Sequence, residues 1–138
     1  MQQITPYETE EQQALFTWAA LQTAVYPELE LMFAIPNGGL RHKKTAHTLK
    51  AEGVKAGVPD IFLPAPHAGY NGMFIEMKRQ VGGKLSDAQR MLLRRLEIQG
   101  YFCAVARGWE EAAQEIRRYL SDEYKRQKRG TANGNQDK

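Results

Sequence analysis

The sequence predicts a single α/β domain in which strands and helices form layers. Its 138 residues fit one domain, because domains most often contain about 100–150 residues. Two short apolar segments, 58–63 and 73–78, are bounded by turn-forming residues, which is typical of strands. Segments of helical length lie before and after them. The predicted order is helix, strand, basic helix, two paired strands, helix, strand and helix.

The first half of the chain predicts three elements. In the first, Leu15, Trp18 and Gln22 recur at spacings of three and four residues, which is typical of one face of a helix. The second is short and apolar, and the turn-forming sequence Pro-Asn-Gly-Gly at 36–39 ends it. The third is rich in basic residues. The expected bounds are 8–25 for the helix, 31–35 for the strand and 40–52 for the basic helix.

The second half predicts five more elements. Two prolines in the connection 64–72 cannot lie inside a sheet, so the strands on either side are expected to pair antiparallel. Ser86 and Gln89 form a capping-box pattern at a helix start, and Gly100 ends that helix. The expected elements are strands over 58–63, 73–78 and 101–106, and helices over 86–99 and from Trp109 to about Tyr124. The last helix is expected to bury Ala112, Ala113, Ile116, Tyr119 and Leu120.

Composition narrows the function classes. The net charge of +3 and a pI near 9.0 favour an anionic partner. No apolar run approaches the ~20 residues needed to span a bilayer, and the N-terminus lacks a signal-peptide pattern, so we expect a cytoplasmic protein with no membrane partner. Residues 125–138 are basic and have no apolar anchor, which predicts a disordered tail after a domain over 1–124. The residues expected in the core include Trp18, Phe33, Tyr101, Trp109 and the single cysteine, Cys103.

Asp60, Glu76 and Lys78 lie in the two paired strands. Because side chains alternate along a strand, Glu76 and Lys78 project from one face about 6–7 Å apart, and Asp60 can join them from the neighbouring strand. Two adjacent carboxylates repel unless a cation lies between them, and Mg²⁺ prefers such oxygen ligands. A lone Glu-x-Lys pattern is uninformative. The combination favours hydrolysis of a phosphodiester bond with a divalent ion.

Six short motifs share the pattern of a known nuclease family. They are Glu11-Gln12 before Leu15 and Trp18, Pro36-Asn37-Gly38-Gly39, Gly57-Val58-Pro59-Asp60, Glu76-Met77-Lys78-Arg79, Ser86 with Gln89, and Gly100-Tyr101. Together they resemble the stand-alone VRR-NUC domains of phages and bacteria, within the PD-(D/E)XK nuclease superfamily. The resemblance covers about Glu8 to Leu120. It implies a restriction-endonuclease-like core of the αβββαβα type, with a mixed sheet flanked by helices.

The resemblance also implies roles for individual residues. Asp60, Glu76 and the backbone carbonyl of Met77 would hold Mg²⁺ or Mn²⁺, while Lys78 would assist the attacking water. An acid on the first helix would complete the site. Glu11 matches that position best, because it shares the helix face of Leu15 and Trp18, whereas Glu8 and Glu10 match less well. Gln89 has two equal interpretations, as a catalytic glutamine and as a capping residue.

The resemblance implies that the partner is DNA, with a structured or branched substrate such as a Holliday junction, and that the active form is a homodimer in a bacterial or phage-infected cell. The region of Tyr70, Met73 and Phe74 is either the pairing surface or core. A non-catalytic nucleic-acid-binding module and a nuclease that acts on RNA stay open as alternatives. A turn is the first interpretation of 37–39, and a solvated face explains the basic residues of 41–50 about as well as phosphate contacts do. The candidate DNA contacts are Asn37, Gly38, Gly39, Arg41, Lys43, Lys44, Lys50 and Arg79.

Overall fold

A computed structural model describes residues 7–36 and 45–121 of the chain. Its helices are α1 (Glu8–Leu21), α2 (Ala46–Ala51), α3 (Asp87–Ile98) and α4 (Trp109–Leu120), with a short 3-10 helix over Pro27–Leu31. Its strands are β1 (Phe33–Ala34), β2 (Ile61–Leu63), β3 (Met73–Lys78) and β4 (Phe102–Arg107). In these ranges no helix is both long enough and apolar enough to cross a bilayer.

The four strands form one mixed sheet in the order β1-β2-β3-β4. The antiparallel pairing predicted for the two central strands is confirmed, since Ile61 lies opposite Ile75 and Leu63 lies opposite Met73. A tight turn at Gly72 precedes β3. A Cβ there would lie 3.1 Å from both the Leu63 carbonyl oxygen and the Phe62 ring, and Gly72 has a positive φ of 152°. By contrast, β3 and β4 are parallel because α3 crosses between them.

One face of the sheet packs against α1 and α4 to form the core. The central strands supply Ile61, Leu63, Met73, Ile75 and Met77, and all five are fully buried. The prediction for α4 is confirmed, because its five expected inward residues are the ones that the structure buries. Met73 is therefore core, while Tyr70 packs against the core.

The opposite face carries a row of aromatic rings. Phe62 stacks on Phe74 with ring centroids 4.4 Å apart, and Phe33 and Tyr101 contact this pair edge-on. Phe33 was expected in the core, and this is wrong, since 48% of its surface is exposed. The reason is its position on β1, which is the edge strand of the sheet.

Several predicted boundaries change. β2 begins at Ile61 rather than at residue 58, and α4 ends at Leu120 rather than near Tyr124. β1 contains two residues rather than five, because Pro27 starts a 3-10 helix that buries Leu29 and continues to Leu31. α1 ends at Leu21. α2 begins at Ala46, because Thr45 is extended and its hydroxyl oxygen accepts a hydrogen bond from the Thr48 amide at 3.1 Å. Residues 40–44 of the predicted basic helix lie outside the described residues, as does the predicted tail.

Cys103 is half-buried on β4, as expected for a small packing residue. Burial, with a smaller contribution from Glu97, raises the pKa of its thiol to about 12. A thiol with such a high pKa holds its proton at neutral pH, so it is a poor nucleophile.

Candidate active site

Pairing of β2 with β3 brings Asp60 and Glu76 side by side. Ile61 lies opposite Ile75. Because the strands are antiparallel, the residue before Ile61 lies opposite the residue after Ile75, which places Asp60 across from Glu76. Asp60 is fixed on both sides by backbone contacts. Its Oδ2 accepts a hydrogen bond from the Met77 amide at 2.7 Å, and its carbonyl accepts one from the Ile35 amide at 2.7 Å.

Gly57 brings the chain before Asp60 against the first turn of α3. A Cβ at this position would lie 2.5 Å from the Ala88 carbonyl oxygen and 2.9 Å from the Gln89 nitrogen. Only a residue without a side chain permits this approach, and Gly57 also has a positive φ of 89°. The contact holds the start of α3 next to the two acids.

Glu76 is 2% exposed, and its two carboxylate oxygens have different surroundings. Oε2 accepts a hydrogen bond from Gln89 Nε2 at 2.9 Å and lies 3.7 Å from Lys78 Nζ. Oε1 is buried and has no hydrogen-bond partner among the residues that the structure describes. A buried oxygen without a partner is costly, which marks this position as one that a ligand can complete.

Gln89 joins Glu76 to Lys78 and also caps α3. The capping interpretation is therefore confirmed, and the catalytic interpretation stays a prediction. Its Oε1 accepts hydrogen bonds from Lys78 Nζ at 3.0 Å and from the Ser86 amide at 2.9 Å. The backbone amide of Gln89 donates a hydrogen bond to Ser86 Oγ at 3.1 Å. We call Glu76, Lys78, Gln89 and Ser86 the Glu76 network. The capping box fixes the glutamine that orients the acid and the lysine.

Burial raises the pKa values of both acids. The pKa of Glu76 rises to about 8, first because of burial and then because of the adjacent Asp60 charge, while Lys78 partly offsets the rise. Burial also raises the pKa of Asp60, against the lowering effect of the Met77 amide. At neutral pH the acid pair therefore keeps a proton when no cation is bound, and a cation would take the place of that proton.

A comparison of the sequence with models of protein families identifies the family of this chain. The model of the VRR-NUC domain matches residues 2–110. The chain belongs to the VRR-NUC domain family. A solved structure described as a VRR_NUC domain protein is 25% identical and superposes with a TM-score of 0.73, covering 86% of this chain and 91% of that one. The comparison with curated proteins gives no significant match.

Family membership implies nuclease activity, and the mixed sheet flanked by helices is consistent with the PD-(D/E)XK-like fold. The expected family and fold are thus confirmed. The two adjacent acids of this VRR-NUC domain fit a divalent metal ion. Such ions accept one or two carboxylates and keep several waters, and Glu76 Oε1 is available as a ligand.

The predicted metal ligands are only partly assembled in the described ranges. No group of three or more His, Cys, Asp and Glu side chains is placed there to hold a metal ion. Asp60 and Glu76 lie side by side. Met77 contacts this pair through its backbone amide, which donates a hydrogen bond to Asp60, and not through its carbonyl. The role predicted for the Met77 carbonyl stays a prediction.

Glu11 lies on α1 and is buried against the start of α4. Its Oε1 accepts a hydrogen bond from the Trp109 amide at 2.9 Å, and its Oε2 accepts one from Gln80 Nε2 at 2.7 Å. We call these three residues the Glu11 network. Glu8, in contrast, lines a cleft together with Asp60, and its charge contributes to the raised pKa of Glu76. The metal-binding role predicted for Glu11 stays a prediction, and Glu8 is a second candidate for the acid of the first helix.

Sequence reasoning missed the role of Arg107. Its guanidinium donates hydrogen bonds to the carbonyl oxygens of Arg79, Gly82 and Gly83, at 3.1, 2.7 and 2.8 Å. A Cβ at Gly83 would lie 3.8 Å from Lys78 Cδ, so this loop packs along the lysine stem. The sequence signal was an arginine directly before Gly108, at the end of an apolar strand.

The predicted DNA contacts fall into two groups. Asn37, Gly38, Gly39, Arg41, Lys43 and Lys44 lie outside the described residues. Lys50 is exposed in the last turn of α2. Arg79 follows β3 directly and is half-buried, with its guanidinium carbon 5.2 Å from the centroid of the Tyr7 ring. The role of all these residues in DNA binding stays a prediction.

Proposed function

We propose that this VRR-NUC domain is an Mg²⁺- or Mn²⁺-dependent endonuclease that hydrolyses phosphodiester bonds in DNA. One observation carries the proposal: two carboxyl groups, the buried Glu76 and the partly buried Asp60, lie side by side next to Lys78. One lysine does not neutralise two acids, whereas a divalent ion bound between them would.

Each residue then has a distinct task. Asp60 and Glu76 hold the metal ion, with Glu8 or Glu11 as the acid supplied by the first helix. When bound, the ion lowers the pKa of a water molecule and neutralises charge on the phosphate. Lys78 orients the attacking water and stabilises negative charge as water attacks phosphorus and the bond to the leaving sugar oxygen breaks. Gln89 holds Glu76 and Lys78 in a fixed relative position.

We further propose that the substrate is branched or otherwise structured DNA, and that the protein acts in the cytoplasm as a symmetric homodimer. Each chain carries one set of Asp60, Glu76 and Lys78, so paired cuts in two strands require either two encounters or two subunits. Analytical ultracentrifugation at micromolar concentration tests the dimer. A monomer that nicks strands without preference for a branch would contradict both the dimer and the branched substrate.

The test of the activity is an assay of the purified protein on labelled duplex, single-strand, flap and four-way-junction DNA, with an RNA duplex included. We expect cleavage with Mg²⁺ or Mn²⁺, no cleavage in EDTA, and the highest rate on a branched DNA. Binding of DNA without cleavage under every metal condition would favour the binding-module alternative. Faster cleavage of the RNA duplex would assign the chemistry to RNA instead.

A further inference from the structure

A cleft of about 530 Å³ opens beside Asp60, between α1 and the chain that follows β1. Its volume lies within the range of about 300–1,000 Å³ that is typical of sites for small ligands. Because Asp60 forms part of its wall, a ligand in the cleft lies next to the phosphate that the proposed nuclease would cleave.

One wall of the cleft is a polar and aromatic stripe on α1. Glu8, Gln12 and Phe16 follow each other at intervals of four residues, and Thr9 and Gln13 lie beside them. The opposite wall consists of the apolar residues 34–36. The cleft therefore offers apolar surfaces together with hydroxyl and amide groups that both donate and accept hydrogen bonds.

The charges in the described lining disfavour a phosphate in most of the cleft. Glu8 and Asp60 are acidic, and none of the lining residues within 7–36 and 45–121 is basic. A phosphate is attracted only at the Asp60 end, where a bound cation would offset the acids. The remainder suits the uncharged part of a nucleotide. A nucleobase has apolar faces and polar edges, which is the combination that the two walls present.

We propose that this cleft binds one unpaired nucleobase of the nucleotide adjacent to the phosphate being cleaved. The proposal rests on the nuclease function and adds a specificity element to it. A base within a duplex is stacked on both faces and paired along its edge, so it enters the cleft only after leaving the helix. The cleft thus selects substrates in which the nucleotide next to the cut is already unpaired.

The test first maps the cut and then varies the adjacent nucleotide, which is either paired, unpaired or abasic in otherwise identical DNA. Two hydrogen bonds from side-chain amides to the edge of a base are together worth roughly tenfold in binding, so we expect kcat/KM for the unpaired base to exceed that for the abasic analogue by about tenfold. This comparison needs no mutation. Equal kcat/KM values for the unpaired and abasic substrates would overturn the proposal.

A double variant, Gln12→Ala with Gln13→Ala, tests the wall itself. We expect the preference for the unpaired base over the abasic site to fall to within about twofold, whereas Gln114→Ala, a matched exposed glutamine on α4, keeps it. An unchanged preference in the double variant would overturn the assignment of these glutamines.

A binding measurement separates this proposal from the nuclease function. DNA with 2-aminopurine at an unpaired position beside the branch changes fluorescence when the base leaves its neighbours and enters a protein cleft. Glu76→Gln protein, which we expect not to cleave, should produce this change, and the triple variant that adds both alanines should lose it. If the wild type cleaves nothing, the fluorescence still decides whether the cleft takes a base: a signal that is unaffected by the two alanines would refute it.

Discussion

Glu11 and Glu76 are equally buried glutamates in very different networks. Glu11 is 3% exposed and Glu76 is 2% exposed. Both oxygens of Glu11 accept hydrogen bonds, one from the first amide of α4 and one from Gln80. Glu76 Oε2 accepts a hydrogen bond from Gln89, whereas its Oε1 meets no donor in the described part of the chain except through a proton shared with the adjacent Asp60 carboxyl group. A buried carboxylate that accepts hydrogen bonds at both oxygens stabilises a fold. A buried carboxylate that lacks a donor at one oxygen and lies next to another acid destabilises the fold, and a bound ligand can remove this unfavourable free energy.

The largest expected effect is on catalysis. Glu76→Gln removes the charge that would hold the metal ion but keeps the shape of the side chain, so we expect cleavage to fall by roughly 10²- to 10³-fold or more. DNA binding should persist, because removing an acid lessens the repulsion of phosphate. Single-turnover cleavage and a filter-binding assay measure the two effects. Glu30→Gln, an exposed acid of the 3-10 helix, is the matched control. Cleavage by Glu76→Gln at the wild-type rate would remove Glu76 from the site.

The second effect is on stability and concerns the Glu11 network. Glu11→Gln places an amide where the Trp109 and Gln80 donors require an acceptor, so we expect the free energy of unfolding to decrease by ~1–3 kcal/mol. Glu110→Gln is the control, since Glu110 is also an acid at the start of α4 but is exposed. Urea unfolding followed by circular dichroism measures both. If Glu11→Gln instead abolishes cleavage at unchanged stability, Glu11 is the catalytic acid of the first helix, as the family resemblance implied.

Local sequence patterns predicted the Glu76 network but not the Glu11 network, for a physical reason. Two-residue alternation places Glu76 and Lys78 on one strand face, and the capping box places Gln89 at a helix start. Both signals are contained in a few residues. The Glu11 contact with Trp109 spans 98 residues and depends on where α4 begins relative to α1. No short pattern contains that information.

The same reasoning explains the partial success with the fold. β3 was predicted at its observed bounds, because an apolar run with turns at both ends is unambiguous. β1 was predicted too long, because the apolar run 31–35 fits a strand, although its first residue, Leu31, ends the 3-10 helix. The choice of Glu11 over Glu8 stays a prediction. Alignment with Leu15 and Trp18 indicates that Glu11 faces the interior of the domain, but it does not show which of the two acids lies nearer to Asp60.

The third prediction concerns pH. The pKa of Glu76 is raised to about 8 in the folded protein, from 4.5 ordinarily, so between these values the folded state binds a proton that the unfolded state has released. The free energy of unfolding of the metal-free protein should therefore fall as pH rises through this window, by at most ~1.4 kcal/mol per pH unit. Urea melts in EDTA at pH 6 and pH 8 measure the slope, and Glu76→Gln should have a smaller one. Equal slopes would show that Glu76 is already ionised in the fold. With Mg²⁺ present the slope of the wild type should also decrease.

The smallest effect is expected at Arg107, which we treat as a positioning residue for Lys78. Its planar guanidinium contacts three carbonyl oxygens of the loop after β3, and a lysine ammonium presents its donors from a single point. Arg107→Lys should therefore loosen this loop along the Lys78 stem and lower kcat by roughly threefold to tenfold, with KM for DNA nearly unchanged.

Arg94→Lys, at an exposed arginine of α3, is the matched control for Arg107→Lys, and both variants are assayed well below their melting temperatures. A purely structural role of Arg107 would lower the melting temperature and leave kcat per folded molecule unchanged. A loss of kcat that is confined to Arg107→Lys would instead place this arginine in the machinery that orients Lys78. It would also show that the Glu76 network extends, through backbone carbonyls, to the end of β4.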